Sequence, residues 1–188
     1  MITADLEVAR AAVRGGADMV QLRHKMLARG ELLTLARQVR EVTRDVLFIV
    51  NDYVDIALLS EADGVHLGPD DVSVAAARRI AGERLIIGAS ASTVDAARTA
   101  VLAGAGYLGS GPAFATPIKA EKRVIGPAGI KAIAKAVDVP VFAIGGIDAT
   151  NINEVIAAGV RRVCVIRAVG DAADPEAAAR RLRAMLDA

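Results

Sequence analysis

Short apolar runs alternate with amphipathic stretches along the whole chain, and glycine, proline or a small polar residue stands at nearly every boundary. This pattern predicts repeated βα units, which build a parallel sheet covered by helices. The predicted strands are Met19–Arg23, Leu47–Asn51, Gly64–Leu67, Leu85–Ala89, Tyr107–Gly109, Val139–Ile144 and Arg162–Ile166. The predicted helices are Glu31–Thr43, Val54–Ala62, Val74–Ala81, Val94–Ala103, Pro127–Ala136, Asn151–Ala158 and Pro175–Leu186.

Seven clear strands, with a possible eighth at the N-terminus, predict a (β/α)8 TIM barrel in the α/β class. Met1–Thr3 supplies only a stub of a first strand before a helix at Asp5–Val13, so we expect that strand to be short or missing. A doubly wound sheet is the alternative, but its Gly-x-Gly-x-x-Gly turn is absent after the first strand. No linker-like or low-complexity segment divides the chain, which predicts a single domain over residues 1–188.

The composition of the chain argues against nucleic acids and membranes as partners. Hydrophobic residues make up 54% of the chain and the formal net charge is +1, with acidic and basic residues interspersed. Such a balance provides no broad field for a nucleic acid or an anionic membrane. No apolar run approaches the ~18 residues of a membrane span and no signal-peptide pattern is present, so we expect a cytoplasmic protein, with a homo-oligomer possible.

Ligands of parallel β/α folds bind at the C-terminal ends of the strands, and those ends are unusually polar here. Side-chain alternation at the end of the second strand places Gln21, Arg23 and Lys25 on one side, which could be the barrel interior. Two cations at a buried strand end favour a phosphate or pyrophosphate as their partner. A structural ion pair with nearby acids is the alternative.

Carboxylates follow the next two strands. Asp52 and Asp71 are candidate Mg2+ ligands, because Mg2+ prefers carboxylate and phosphate oxygens. Each acid could instead be a helix N-cap, and that interpretation is preferred for Asp70. His66 is interpreted as a hydrogen-bonded core residue, since the only other histidine is His24 and a zinc cluster is improbable.

Two later loops also suit phosphate. The glycine-rich stretch Gly109–Lys119 has the composition of a flap over a ligand, with a hydroxyl at Thr116 and a charge at Lys119. A plain flexible connector is the alternative. The last two strands lead into Gly145-Gly146 and Ile166-Arg167, where barrels bind phosphate with backbone N–H groups.

Taken together these motifs resemble the thiamine-phosphate synthase family and its thiazole tautomerase branch over almost the entire chain. The segments that carry the resemblance are Val20–Lys25, Val50–Ala57, Asp63–Gly68 with Asp71, Gly109–Thr116 with Lys119, and Ile144–Ile147.

The resemblance implies condensation of hydroxymethylpyrimidine pyrophosphate with thiazole phosphate, giving thiamine phosphate and pyrophosphate with Mg2+ as cofactor. It also implies a role for each matching residue. The implied pyrophosphate ligands are Arg23, Lys25, Asn51 and Lys119; the metal ligands Asp52 and Asp71; the pyrimidine contacts Gln21 and Ser90; and the thiazole-phosphate contacts Thr116, Gly146, Ile166 and Arg167, the last through its backbone. Of these, Arg23, Lys25, Ser90 and Lys119 are the predicted catalytic residues.

The chain departs from the family pattern at His24, Pro69, Ala115 and Ile118, where an acid, a glutamine, a proline and a hydroxyl residue are usual. Ser92 stands where the tautomerase branch is expected to carry a histidine, which favours the synthase. The alternatives are a tautomerase-like enzyme or a catalytically weak paralogue that binds thiazole or thiamine phosphates. A Schiff-base aldolase using Lys25 or Lys119 is more distant.

Overall fold

The computed structural model describes residues 1–116 and 123–188, and these form a parallel barrel. Its eight strands follow chain order in one sheet, so that every strand pairs with its neighbours in sequence. They are β1 (Ile2–Thr3), β2 (Met19–Leu22), β3 (Leu47–Asn51), β4 (Gly64–Leu67), β5 (Ile86–Ser90), β6 (Tyr107–Ser110), β7 (Val141–Ile144) and β8 (Val163–Cys164). The predicted TIM barrel is therefore confirmed.

The first strand is the short one, as expected. β1 pairs in parallel with β2 through Ile2 and Gln21, and through Thr3 and Leu22. On its other edge the Ile2 N–H donates to the carbonyl oxygen of Val165, just beyond β8, at 3.0 Å. Two residues are thus sufficient to connect the last strand to the second and bring the barrel close to closure.

Helices follow the strands and surround them. They are α1 (Leu6–Arg14), α2 (Arg29–Val42), α3 (Val54–Leu59), α4 (Val74–Ala81), α5 (Val94–Leu102), α6 (Gly126–Lys135), α7 (Ile152–Ala157), α8 (Arg167–Gly170) and α9 (Pro175–Asp187). Several begin at a side chain that accepts a hydrogen bond from the first turn, as Asp5, Ser73, Thr93 and Asp174 do. Among the described residues no helix is long and apolar enough to span a membrane.

Two of the later strands are shorter than predicted. β7 starts at Val141, directly after Pro140, because proline has no N–H to give to a strand ladder. β8 covers only Val163–Cys164, although the backbone of Arg162 still accepts a hydrogen bond from the Ala143 N–H at 2.8 Å. The apolar run predicted the position of each strand, and hydrogen-bond geometry set its ends.

The main apolar core lies between the strands and the helices, with Leu22, Phe48, Ile87 and Leu108 almost fully buried there. Residues of alternate parity face the barrel axis, and near the C-terminal ends of the strands these are polar. They include Gln21, Asn51, His66 and Ser90, and Tyr107, at the start of β6, lines the same cavity. Burying so many polar groups at one end of the barrel costs stability, which is typical of a functional site.

Candidate active site

Two adjoining cavities lie in the barrel, the larger at the C-terminal ends of the strands and the smaller between the strands inside it. The larger has a volume of about 770 Å³ and the smaller about 100 Å³. Both are lined by Ser90, Gly109, Ile144, Cys164 and Ile166, so these residues form the boundary between them. A space of this size is in the range of small-molecule sites.

The smaller cavity brings together five of the predicted site residues, namely Gln21, Arg23, Asn51, Ser90 and Ile166. Gln21 is 5% exposed and its Oε1 atom has no hydrogen-bond partner among the described residues. A buried acceptor without a partner is costly, and a ligand donor would relieve that cost.

A second cluster, of charged side chains, lies just beyond the C-terminal end of β3. Lys25 Nζ lies 3.2 Å from Asp52 Oδ2, and Asp52 is within hydrogen-bonding reach of Asp71. Asp71 Oδ2 in turn accepts from the Gly68 N–H at 2.7 Å. Burial and then the neighbouring Asp71 raise the pKa of Asp52, while Lys25 opposes that rise.

Lys25 does not follow the predicted alternation. The pairing of β2 with β1 continues as far as the Arg23 N–H, which donates to the Thr3 carbonyl at 2.8 Å, but Lys25, two residues later, lines neither of the two cavities. Its side chain is 55% exposed and reaches Asp52 from outside. The structure therefore separates Lys25 from Gln21 and Arg23, which do face the smaller cavity.

The helix-cap interpretation of the acids was wrong. Ser73, not Asp70, caps α4, and its side chain accepts from the Ala76 N–H. The N-cap position of α3 belongs to Tyr53 rather than Asp52. Asp52 instead adopts a positive φ of 67°, a conformation that aspartate tolerates but that is uncommon in non-glycine residues. That backbone turn accompanies its placement beside Asp71.

Asp52 and Asp71 supply the oxygen donors that hard cations prefer. Within residues 1–116 and 123–188, no group of three or more His, Cys, Asp or Glu side chains is arranged to enclose a metal ion. Asp52 and Asp71 nevertheless present adjacent carboxylate oxygens whose mutual repulsion a cation would relieve. Mg2+ is commonly held by one or two carboxylates, with water and substrate phosphate filling the other positions.

The larger cavity is bounded by the loops after β6, β7 and β8. Thr116, Gly146, Ile166 and Arg167, the four residues predicted to contact the thiazole phosphate, all line it. Gly145 and Gly146 have φ values of 97° and 68°, which non-glycine residues rarely adopt. Asn151 fastens this loop, because its Nδ2 donates to the Gly146 carbonyl oxygen at 2.8 Å.

The loop after β6 lies directly against the loop after β7. The Ala113 N–H donates to the Ile144 carbonyl and the Phe114 N–H to the Gly145 carbonyl, both at 2.9 Å. A methyl group on Gly111 would come within 2.0 Å of the Ile144 oxygen, so only glycine permits this approach. Lys119 and Ile118 lie outside the described residues.

The family model described as thiamine monophosphate synthase matches residues 2–169, which is most of the chain. The chain belongs to this family. A thiamine-phosphate synthase from Moorella thermoacetica is 51% identical over 181 residues, covering 95% of this chain and 86% of that relative. One from Haloarcula marismortui is 45% identical over 187 residues, covering 96% of this chain and 89% of the relative.

Solved structures agree with the family assignment. The thiamine phosphate pyrophosphorylase from Pyrococcus furiosus superposes with a TM-score of 0.92 at 41% identity, covering 97% of this chain and 89% of that one. A 3-hexulose-6-phosphate synthase superposes with a TM-score of 0.76 at 23% identity, covering 97% of both chains. The second likeness concerns the barrel fold alone.

The departures from the family pattern have local consequences. His24, at a position where the family usually has an acid, uses its Nδ1 atom to accept from the N–H groups of Met26 and Leu27 at 3.3 and 3.2 Å. It therefore turns the chain after β2 much as a carboxylate would. Pro69 and Ala115 both line the larger cavity.

One residue of this site was missed at the sequence level. Tyr107 was interpreted only as the first residue of a strand, yet its side chain lines the smaller cavity with Gln21 and His66. The available signal was Gly88, which pairs with Tyr107 across β5 and β6 and leaves room for a large ring. His66 is hydrogen-bonded inside the barrel, as expected.

Proposed function

We propose that the chain transfers the pyrimidinylmethyl group of hydroxymethylpyrimidine pyrophosphate to thiazole phosphate, forming thiamine phosphate and releasing pyrophosphate. The observation that carries this proposal is the placement of two different anion-binding surfaces around one polar space in a member of this family. Cations and carboxylates lie on the β2–β4 side, and glycine-rich backbone lies on the β7–β8 side. A reaction between a diphosphate and a phosphate monoester needs both.

The pyrophosphate belongs on the first of these surfaces. Arg23 and Asn51 line the smaller cavity, Lys25 lies outside it beside Asp52, and we assign the donors of all three to stabilising negative charge on the leaving group. Lys119 is proposed as a further pyrophosphate ligand on the basis of the family resemblance alone.

Asp52 and Asp71 would hold Mg2+, which when bound would neutralise part of the charge on the departing pyrophosphate. Metal binding would also change the partner of Lys25, which is paired with Asp52 in this structure. A cation held by Asp52 would leave the Lys25 ammonium, which now pairs with that carboxylate, available to a phosphate oxygen. No protein nucleophile is required, because positive charge arranged around the leaving group lowers the barrier.

The thiazole phosphate belongs on the second surface. Gly146, Ile166, Arg167 and Thr116 line the larger cavity, and we assign the phosphate to the backbone N–H groups there and to the Thr116 hydroxyl. The Arg167 side chain is directed toward Asp171, with 3.9 Å between Nε and Oδ2, which supports a backbone rather than a side-chain contact. Gln21 and Ser90, between the two surfaces, are proposed to contact the pyrimidine.

A product assay tests the proposal. We expect the purified chain, given both substrates and Mg2+, to form thiamine phosphate and to stop when the metal is chelated. Isomerised thiazole alone would instead indicate a tautomerase, and tight substrate binding without any product would indicate a non-catalytic paralogue. Either result contradicts the proposal.

The metal role has a matched control. Asp52→Asn and Asp71→Asn should each lower kcat about 100-fold or more, the cost of losing a charged group that stabilises a transition state. Asp70→Asn removes the same charge from the adjacent, exposed residue and should leave turnover within about twofold. Equal losses in all three variants would show that net charge, and not metal binding, is responsible.

A further inference from the structure

A chain of hydrogen bonds crosses the smaller cavity from β6 to β5. The Tyr107 hydroxyl lies 3.1 Å from His66 Nδ1, and His66 Nε2 lies 3.0 Å from Ser90 Oγ. Tyr107 is 5% exposed and His66 9% exposed, so water competes little for these contacts. Neither Tyr107 nor His66 has a role in the chemistry described so far, although Ser90 does.

The neighbouring strands are built to admit the two rings. A methyl group on Gly88 would lie 2.1 Å from Tyr107 Cζ, and one on Gly109 would lie 3.2 Å from His66 Cε1. The Tyr107 ring also packs edge-on against Phe142, with 5.6 Å between ring centroids. Both rings are therefore held in one orientation by packing.

The hydrogen bonds that link Tyr107, His66 and Ser90 have a direction. A neutral imidazole has one nitrogen that donates and one that accepts. If Nδ1 accepts a hydrogen bond, Nε2 must therefore carry the proton and donate. Burial raises the pKa of Tyr107, which keeps its hydroxyl protonated and able to donate. The Gln21 side chain lies close enough to act on that pKa, and its Oε1 has no hydrogen-bond partner among the described residues.

His66 Nδ1 is the acceptor that the described residues offer to the buried Tyr107 hydroxyl, so the Tyr107 proton is directed to it. The His66 Nε2–H then donates to Ser90 Oγ, and the Ser90 proton is left to point into the space that Ser90 lines. The reverse direction would leave the buried Tyr107 proton without an acceptor among the described residues. The smaller cavity thus presents a hydrogen-bond acceptor at Gln21 and a hydrogen-bond donor at Ser90.

We propose that Tyr107 and His66 are positioning residues that fix the Ser90 hydroxyl as a hydrogen-bond donor toward the pyrimidine ring. This inference rests on the proposed function. A donor at Ser90 beside an acceptor at Gln21 complements an edge that offers an amino N–H next to an unprotonated ring nitrogen, as an aminopyrimidine does. An oxopyrimidine with a protonated ring nitrogen offers the opposite pattern and is disfavoured. The Ser90 donor would then face a ring N–H, and the Gln21 acceptor would face a carbonyl oxygen.

The tautomer of His66 is directly measurable, because the chain contains only two histidines. Nitrogen-15 NMR of the histidine-labelled protein, assigned with a His24→Asn variant, should show His66 protonated at Nε2 and not at Nδ1. Tyr107→Phe removes the hydroxyl while keeping the ring, and it should shift the population toward the Nδ1-protonated form. A wild-type His66 protonated at Nδ1 would overturn the inference.

Substrate discrimination gives the functional readout. Affinities for the aminopyrimidine pyrophosphate and its oxo analogue are measured by calorimetry, and turnover of the amino form is measured in parallel. Tyr107→Phe should reduce the amino-over-oxo preference about tenfold, the value of one misdirected hydrogen bond. His66→Gln can still place an amide donor near Ser90, so it should retain more of that preference than His66→Leu.

The control is Ser60→Ala, which removes an equally buried hydroxyl whose bond goes to the Ile56 carbonyl in α3. It should leave the preference unchanged. If Tyr107 had only a structural role, Tyr107→Phe would lower the affinities for the amino and oxo ligands by the same factor. That result, in a protein that still forms thiamine phosphate, would refute the inference. Absence of thiamine phosphate from the wild-type protein would instead refute the proposed function.

Discussion

Gly146→Ala places a methyl group where the loop after β7 has no room for one. The added carbon would lie 2.7 Å from the Ala115 carbonyl oxygen and 2.9 Å from Cβ and the carbonyl oxygen of Phe114. Two of these three atoms are backbone, so the loop after β6 must move as a unit. That loop and Gly146 both line the larger cavity, where we place the thiazole phosphate.

Gly159 provides the matched control. It has a φ of 86°, comparable to the 68° of Gly146, but a methyl group there would meet nothing within 4 Å. Both alanine variants therefore carry the cost of a positive φ, about 1 to 2 kcal/mol. Only Gly146→Ala adds the cost of displacing packed atoms, about 1 to 3 kcal/mol.

If that displacement acts on the phosphate site, the KM for thiazole phosphate should rise about tenfold to 100-fold in Gly146→Ala relative to Gly159→Ala. The KM for the pyrimidine substrate should change much less, because that substrate is assigned to the other surface. Steady-state kinetics with each substrate varied in turn provide the measurement, and urea unfolding confirms that both variants fold. Equal KM values for thiazole phosphate in the two variants would refute the assignment of Gly146.

Three further changes test the surrounding structure. Asn151→Ala removes the donor to Gly146 and should raise the KM for thiazole phosphate with little effect on kcat, as kinetics will show; a loss confined to kcat would contradict this. Phe48→Ala empties a fully buried position and should cost about 3 to 5 kcal/mol in urea unfolding, whereas a cost under about 1 kcal/mol would be inconsistent with its burial. Hydrogen bonds from Thr150 lower the pKa of Asp148, so its contribution is complete above its unfolded pKa and is lost as pH falls. The difference in melting temperature between Asp148→Asn and wild type should accordingly shrink as pH falls below about 4, and a difference that grew would contradict the assignment.

Much of the fold could be predicted because each βα unit repeats the same local pattern. Apolar runs such as Leu47–Asn51 and Gly64–Leu67 are strands with the bounds expected. Strand ends were less predictable where the hydrogen-bond partner is set by the sheet rather than by the run itself. β8 is the example, since only Val163–Cys164 of the predicted Arg162–Ile166 satisfies the ladder.

The site was predictable where polar residues continue a strand, and less so where tertiary packing decides. Gln21 and Arg23 face the barrel because β2 alternation reaches them, whereas Lys25 lies beyond the strand and reaches Asp52 instead. Asp70 was expected to cap a helix, but Ser73, three residues later, does so. Tyr107 could not be assigned from its own strand, because its role depends on the space left by Gly88 on the next one.

The central claim is that two anions are bound at opposite sides of one polar space. A crystal structure of the protein with Mg2+, pyrophosphate and thiamine phosphate tests it most directly. We expect pyrophosphate and the metal beside Arg23, Lys25, Asp52 and Asp71, with the phosphate of thiamine phosphate against the backbone at Gly146. Pyrophosphate bound on the β7–β8 side, or a metal ion coordinated without either aspartate, would contradict the account.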